Sequence, residues 1–297
     1  MKIILTGSLG HIGKPLTQQL VQKGHAVTVI SSNPEKQKDI EALGATAAIG
    51  SVEDADFLAT IFIGAEAVYT MIPPANFFDP NLNLIAHSSK IGNSYAQAID
   101  QSGIKRVVHL SSIGAHLDQN SGLILAHRAV EDIFNKLTDV AITFMRPTAF
   151  YYNLFSFIGG IKNTGVIASN YGAGDKVVWV SPIDIAAAVA EELETPLIGK
   201  KVRYVASEEL TGNEVAGILG AAIAKPDLKW IVITDEQLQD GFEGFGMPKQ
   251  IAAGLVEMNA RMHDGELFAD YYLNRPEVMG KVKLIDFAKE FAAAYHQ

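Results

Sequence analysis

The chain has 297 residues, 48% of them apolar and 19% charged, which suits one large folded domain or a domain with a smaller companion and excludes a disordered chain. Its formal net charge is −9, and its lysines and arginines are scattered singly or in pairs, so no basic stripe points to nucleic acid or an anionic membrane surface. There is no cysteine, which excludes disulfides, thiol catalysis and thiolate metal sites.

The first 150 residues alternate strand and helix. KIILTG (2–7) is a short apolar run ending at glycine, without the charged start and long apolar core of a secretory signal. GKPLTQQLVQKGH (13–25) predicts a helix, with Pro15 in its first turn, Leu16, Leu20 and Val21 on one face and Gly24 at its end. AVTVIS (26–31) is β-branched and predicts a strand. The same rhythm gives a helix over 33–44, a weaker strand over 45–50, a helix over 52–64 and a strand over 65–72. A longer helix over 82–101, a strand over 105–112, a helix over 122–137 and a strand over 140–147 follow. These strands are apolar on both alternations, as in a parallel sheet covered on both faces. Repeated strand–helix units imply right-handed crossovers and an α/β, doubly wound parallel sheet.

Beyond residue 148 the rhythm loosens. Residues 159–176 read as a Gly- and Asn-rich loop with a short strand or two, 177–195 as a strand then a helix, and 200–207 as a further strand. Residues 210–225 read as a helix, 228–234 as a strand and the remainder as mostly helix. No stretch approaches the about 18 apolar residues of a membrane span, so a cytoplasmic protein is expected.

The informative motif is LTGSLGHIGKPL (5–16), with Gly7, Gly10 and Gly13 evenly spaced between the first strand and the first helix. Helix N-termini present unpaired N–H groups and a partial positive charge, and glycines there allow a tight turn and close approach of backbone to a diphosphate. The spacing is GxxGxxG, one residue longer in its first gap than the usual dinucleotide fingerprint. Thr6 leads into the loop, and Ser8, Leu9, His11 and Ile12 line it. At the end of the second strand, an NAD site usually carries an acid that grips the ribose hydroxyls. Here Ser31, Ser32 and Asn33 are neutral donors and Lys36 follows, so NADP(H) is preferred and NAD(H) is the alternative, with nearby Glu35 weighing against the phosphate.

Several segments together resemble the atypical, NmrA-like branch of the short-chain dehydrogenase/reductase superfamily. They are TGSLGHIG, SSNPEK, GSVEDADFLATIFIGAEAVYTMIPP, RVVHLSS, HRAVEDIF, MRPTAFYYNL and VSPIDIAAAVAEEL, spanning residues 6–193, and LTGNEVAGILGAAI extends the likeness further. The resemblance implies a Rossmann domain over 1–150, to which 177–207 returns. It also implies a nicotinamide cofactor and a smaller interleaved C-terminal α+β lobe of 151–176 and 208–297 over the nicotinamide end. Its phosphate loop maps to Gly7, Gly10 and Gly13, and its ribose discriminator to Ser31, Ser32 and Asn33. Its adenine segment maps to Gly50, Ser51 and Val52, with Ser51 where the family often has Asp. Its turn after the fourth strand maps to Met71, Ile72 and Pro73, its serine pair to Ser111 and Ser112, and its loop beside the nicotinamide to Pro147, Thr148 and Phe150.

The wider superfamily uses Ser, Tyr and Lys, with Tyr and Lys four apart on a helix. Here the lysine place falls on His127 and the tyrosine place on Leu123, so that proton donor is absent. Candidate catalytic groups are then His127, whose imidazole ordinarily titrates near neutrality, Ser111, and one of Tyr151 and Tyr152, of which Tyr151 is taken forward. Phe242, Phe245 and Met247 in GFEGFGMP (241–248) are candidate lining of a mobile lid. No metal-ligand spacing stands out, and no G-x-S-x-G elbow supports a Ser111–His127–Asp184 hydrolase. Two readings share the binding site: a reductase of quinone-like or other small conjugated acceptors, and a non-catalytic sensor that changes a protein partner or homodimer with the cofactor's redox state. Epimerase chemistry is weaker, because it needs the missing tyrosine.

Overall fold

The computed structural model describes residues 1–297. The first half contains β1 (Lys2–Leu5), α1 (Gly13–Gln22), β2 (Ala26–Ser31), α2 (Gln37–Ala42), β3 (Thr46–Ile49), α3 (Ala55–Phe62), β4 (Ala67–Met71), α4 (Leu84–Ser102), β5 (Arg106–Leu110), α5 (Leu125–Phe134) and β6 (Ala141–Pro147). There follow β7 (Ala149–Phe150), α6 (Ile158–Thr164), β8 (Val166–Ser169), β9 (Lys176–Val180), α7 (Pro182–Glu194), β10 (Lys200–Val205) and β11 (Glu208–Thr211). The chain ends with α8 (Gly212–Ala222), β12 (Lys229–Val232), α9 (Asp235–Gly244), α10 (Lys249–His263), α11 (Ala269–Leu273) and α12 (Leu284–Tyr295).

Seven strands form one parallel sheet in the order β10-β6-β5-β4-β1-β2-β3. Both faces of the central strands are covered, which is why those strands read as apolar, whereas the edge strand β10 carries Lys200, Lys201 and Arg203. Ile3 and Leu5 of β1 pack with Leu16 and Leu20 of α1 and Ile185 and Val189 of α7. Ile4, between them, points the other way, into Leu58 and Phe62 of α3 and Ile91 and Tyr95 of α4. Each such buried side chain contributes roughly 1.5–3 kcal/mol relative to exposure. β1 pairs with β2 on one side and β4 on the other, so the strand order reverses between them and a crevice opens at their carboxyl ends. No helix is long and apolar enough to cross a membrane.

A second core, with Trp179, Leu219, Phe268, Tyr271 and Phe291 at its centre, lies among α8, α11, α12 and two small sheets. These sheets are β11-β9-β7 and β12-β8. Within the 177–207 stretch expected to rejoin the large sheet, α7 and β10 do so. β9 instead pairs with β7 and β11, because the chain leaves β6 at Pro147 and lays Ala149 and Phe150 beside Trp179 and Val180.

Several expected boundaries move, each for a local reason. The 33–44 helix opens as a 3-10 turn, Pro34–Lys36, where the Asn33 side chain accepts from the Glu35 amide at 2.9 Å. The 52–64 helix starts at Ala55, capped by Asp54. The 122–137 helix divides into a 3-10 turn, Gly122–Ile124, and α5. The 159–176 stretch, expected as loop with a short strand or two, holds helix α6 as well as β8. β11 was not expected at all. The 241–248 stretch is not a free loop, because α9 runs through Gly244.

The two cores are joined by one buried polar network. The Arg146 guanidinium of β6, 6% exposed, donates to both Glu131 oxygens of α5 at 2.6 and 3.0 Å. Its third nitrogen lies 3.2 Å from Asp270 Oδ2 of α11 and from the Tyr204 hydroxyl of β10, and that hydroxyl donates to Asp270. Arg146→Met should strand two carboxylates in a low-dielectric region and cost about 3–5 kcal/mol. The readout is a lower urea midpoint at unchanged slope. A wild-type midpoint would show that the network carries no stability.

Candidate functional site

The loop of residues 6–12 crosses the carboxyl edge of the sheet over the β1/β4 crevice and is pinned to strands on both sides. The Thr6 amide donates to Tyr69 O at 3.0 Å, and Thr6 Oγ1 accepts from the Met71 amide at 3.0 Å. The Ser8 amide donates to Ile30 O at 3.1 Å, and the Ser8 hydroxyl donates to Ser31 Oγ at 3.0 Å. Ser8 itself has a positive φ of 54°.

The three glycines have different reasons. Gly7 has φ +89°, and a Cβ there would lie 2.9 Å from the Met71 side chain. A Cβ on Gly13 would lie 2.1 Å from the Ser8 carbonyl oxygen. Gly10 has neither constraint: its φ is ordinary, and its nearest neighbour, Gly7 O, would sit at a relaxed 3.5 Å. The fold does not require glycine at position 10, and the backbone there faces open space.

The amides of residues 9–13 donate to no protein acceptor, the start of α1 has no side-chain cap, and no acid stands in its first turn. Unpaired donors at a helix N-terminus suit an anion with several acceptor oxygens, and the residues present therefore fit a dinucleotide diphosphate. Leu9 and Ile12 turn inward against the core, and His11 stays at the surface.

On the β2/β3 side, Ser31 is 3% exposed and its hydroxyl accepts from Ser8 and from the Asn33 amide. Ser32 is exposed, the Asn33 side chain caps the 3-10 turn, and Lys36 reaches Asp39 at 3.2 Å in an exposed pair. Such pairs are weakly held, so the ammonium can turn to another anion. Gly50 donates to Ser31 O at 3.0 Å and packs under the Phe57 ring, where a Cβ would lie 2.5 Å away. Ser51 Oγ accepts from the Glu53 amide at 3.1 Å, and Val52 is half-buried.

On the other side, Met71, Ile72 and Pro73 are half-exposed at the end of β4, held by the Tyr95 hydroxyl donating to Met71 O at 2.8 Å. Pro147 and Thr148 are buried, and Thr148 Oγ1 is enclosed without a partner. Phe150 is half-buried and stacks on Tyr152 with 4.9 Å between ring centroids. Tyr152 in turn stacks on His11 at 4.8 Å. The Gln250 side chain donates to Leu82 O at 2.8 Å, which ties the start of α10 to the loop after β4. Of the expected lid residues, Phe245 is 82% exposed, while Phe242 and Met247 are half-buried.

The three expected catalytic side chains are not gathered at this crevice. Ser111 is 3% exposed and donates to Glu131 at 2.5 Å, because the buried Glu131 that clasps Arg146 claims its hydroxyl. Tyr151 is fully buried between Trp179 and Phe287 and donates to Glu208 at 2.7 Å. His127 has an enclosed Nδ1 with no partner, and burial pushes its imidazole down to about 4. Its neighbour His109, wholly buried against Phe134, is pushed down to about 3, first by burial and then by the nearby His127. Asp184 is tied to Ser207 and to the amides of Lys281 and Val282, so no Ser111–His127–Asp184 arrangement forms. No group of three or more His, Asp or Glu residues is placed to hold a metal ion.

The family described as NAD(P)H-binding matches residues 7–196 of the chain. Among curated proteins, an NAD(P)H azoreductase of Xenophilus azovorans is 26% identical over 298 residues, covering 99% of each chain. Among solved structures, an NADPH-dependent quinone oxidoreductase of Escherichia coli complexed with NADPH superposes with a TM-score of 0.79 at 21% identity, covering 97% of this chain and 99% of that one. A Citrobacter sp. triphenylmethane reductase complexed with NADP(H) gives a TM-score of 0.74 at 20% identity, covering 98% and 100%.

Two outcomes are expected from the site. Gly10→Val should melt like the wild type and lose NADPH binding, whereas Gly13→Ala should be strongly destabilised, the two being separated by thermal melting and NADPH fluorescence titration. An unchanged NADPH titration for Gly10→Val would contradict the loop assignment. The second outcome concerns pH. His109 and His127 stay neutral in the folded chain well below the 6.5 at which they titrate when unfolded, so the unfolded state binds more protons and stability falls as pH drops from about 6.5 toward about 4. His127→Leu should flatten that slope in urea unfolding across the window; an unaltered slope would show that the His127 imidazole is not held below its ordinary range.

Proposed function

The chain belongs to the NAD(P)H-binding family, and from that premise we propose that it is an oxidoreductase reducing a small conjugated acceptor, quinone-like or azo, by hydride transfer. The observation that carries this reading is Gly10, a glycine the fold does not need, in the middle of the 9–13 run whose amides donate to no protein acceptor at the β1/β4 crevice. It is supported by the azoreductase that aligns along 99% of both chains. The bound nucleotide supplies the hydride, and the protein supplies proximity, orientation and exclusion of water.

In this reading the amides of residues 9–13 hold the diphosphate, with Thr6 and Gly7 shaping the turn. Gly50, Ser51 and Val52 border the adenine. Met71, Ile72 and Pro73 flank the nicotinamide half from one side, and Pro147, Thr148 and Phe150 from the other. NADP(H) is the preferred nucleotide. No carboxylate stands at 31–33 to repel a 2′-phosphate, and exposed Ser32, Asn33 and Lys36 are within one short segment of each other. The nucleotide-sensing reading keeps one observation in its favour: the tyrosine and lysine places hold Leu123 and a neutral, enclosed His127.

The two readings part in a single panel. NADPH and NADH oxidation is followed against quinones, azo dyes and aldehydes. The reductase reading expects turnover with quinones or azo dyes, a lower KM for NADPH than for NADH, and none with aldehydes. Tight NADPH binding with no oxidation by any acceptor would remove it in favour of the sensor.

A further inference from the structure

We propose that the phenol of Tyr152 is the proton donor to the acceptor, in place of the tyrosine that Leu123 displaces. The proposal rests on the reductase reading and adds to it the group that completes the reduction.

Tyr151 and Tyr152 open the 3-10 stretch Tyr151–Phe157, in which successive side chains point about 120° apart. One of the pair therefore enters the second core and the other cannot. Tyr151 takes the inward position, with its hydroxyl on Glu208. Tyr152 is left facing the crevice, its ring held between His11 of the glycine loop, at 4.8 Å and 21° between planes, and Phe150, at 4.9 Å and 30°. It also stands close enough to Tyr69 to push that phenol further above its ordinary range. Tyr69 is the β4 residue paired with Leu5 of β1, so it marks the point where strand order reverses. The glycine loop and the stretch after β6 thus meet at one side chain, on the side of the crevice where β4 ends.

Its chemistry suits the place. Ser111 and Tyr151 donate to carboxylates, and Tyr95 donates to a main-chain carbonyl. The Tyr152 hydroxyl has no partner within the protein and is not sealed from solvent. Rings on both faces fix the phenol in orientation and leave the O–H edge free. Burial raises it to about 12, so it carries its proton at neutral pH.

The step balances as follows. The hydride that a reduced nicotinamide would supply when bound, by breaking a ring C–H bond and becoming oxidised, forms a new bond at one atom of the conjugated acceptor and leaves an anion on its oxygen or nitrogen. The phenolic O–H breaks, its proton neutralises that anion, and the tyrosinate regains a proton from water.

Tyr152→Phe keeps both ring stacks and removes only the hydroxyl. The proposal expects an unchanged melting temperature, NADPH affinity within about twofold of wild type, and quinone turnover at saturation lower by about a hundredfold, within the usual reach of a general acid. A second readout needs no turnover. In NADP+-loaded protein with isotope-labelled tyrosine, adding the hydroquinone product should shift one tyrosine NMR signal, and that signal should be missing in Tyr152→Phe. Unchanged turnover in the variant, a hydroquinone that leaves the Tyr152 signal unmoved, or a large loss of NADPH affinity in place of turnover would each overturn it. Failure of the reductase reading is seen in the wild type, which would then bind NADPH without oxidising it in the presence of any acceptor; failure of this proposal appears only in the comparison with Tyr152→Phe.

Discussion

A Cβ on Gly13 would lie 2.1 Å from the Ser8 carbonyl oxygen, and the whole site depends on that atom being absent. Because it is absent, α1 can begin directly over the carboxyl ends of β1 and β4. The turn is then locked from both sides, by Thr6 to β4 and by Ser8 to β2. The result is a row of amides with nothing of the protein in front of them, aimed across the crevice where the strand order reverses. Gly7 solves a different problem, the positive φ and the closeness of Met71. With two glycines accounted for by the turn, Gly10 is the one whose missing side chain the protein itself does not require.

The large sheet was legible because its central strands are covered on both sides. Apolar residues then fill both alternations, and a run such as KIIL or RVVHL needs no partner information to be read as a buried parallel strand. The second lobe was less legible for the converse reason. β11 reads EELT, half-buried along its length, and owes its pairing to β9 rather than to its own pattern. α6 contains two glycines and gains its place from packing rather than propensity. The glycine loop was readable since spacing and position between strand and helix are properties of the local chain. The state of a hydroxyl was not, because it is decided by residues far away in sequence. Ser111 meets Glu131 twenty residues on, and Tyr151 meets Glu208 fifty-seven residues on.

Those carboxylates explain why so few polar groups near the crevice remain free. A buried carboxylate must be satisfied by several donors or not be buried at all. Glu131 takes Arg146 and Ser111, Glu208 takes Tyr151 and the Leu284 amide, and Asp184 takes Ser207 and two amides of the 281–282 segment. Asp184 of α7 reaches the 281–282 segment directly, and Glu131 reaches Asp270 of α11 through Arg146, while Glu208 ties Tyr151 to the start of α12 within the second lobe. The hydroxyls of Ser111 and Tyr151 that a sequence reading offers to a substrate are thereby used inside these networks.

This division of labour bears on the kind of chemistry the crevice can support. Sugar epimerisation and alcohol oxidation require a base that removes a proton from a poorly acidic hydroxyl; the tyrosine place holds Leu123, and His127 one turn on, pushed down to about 4 by burial, is a weak base. Reduction of an extended conjugated acceptor makes a smaller demand. The charge that arrives with the hydride spreads over the acceptor itself, so a neutral donor that is well oriented suffices where a strong acid or a charged base would otherwise be needed. His11, Tyr152 and Phe150 form one stack of rings beside the crevice, with the Tyr152 hydroxyl free at its edge. The loss of the tyrosine–lysine pair therefore narrows the chemistry toward acceptors that carry their own electron sink.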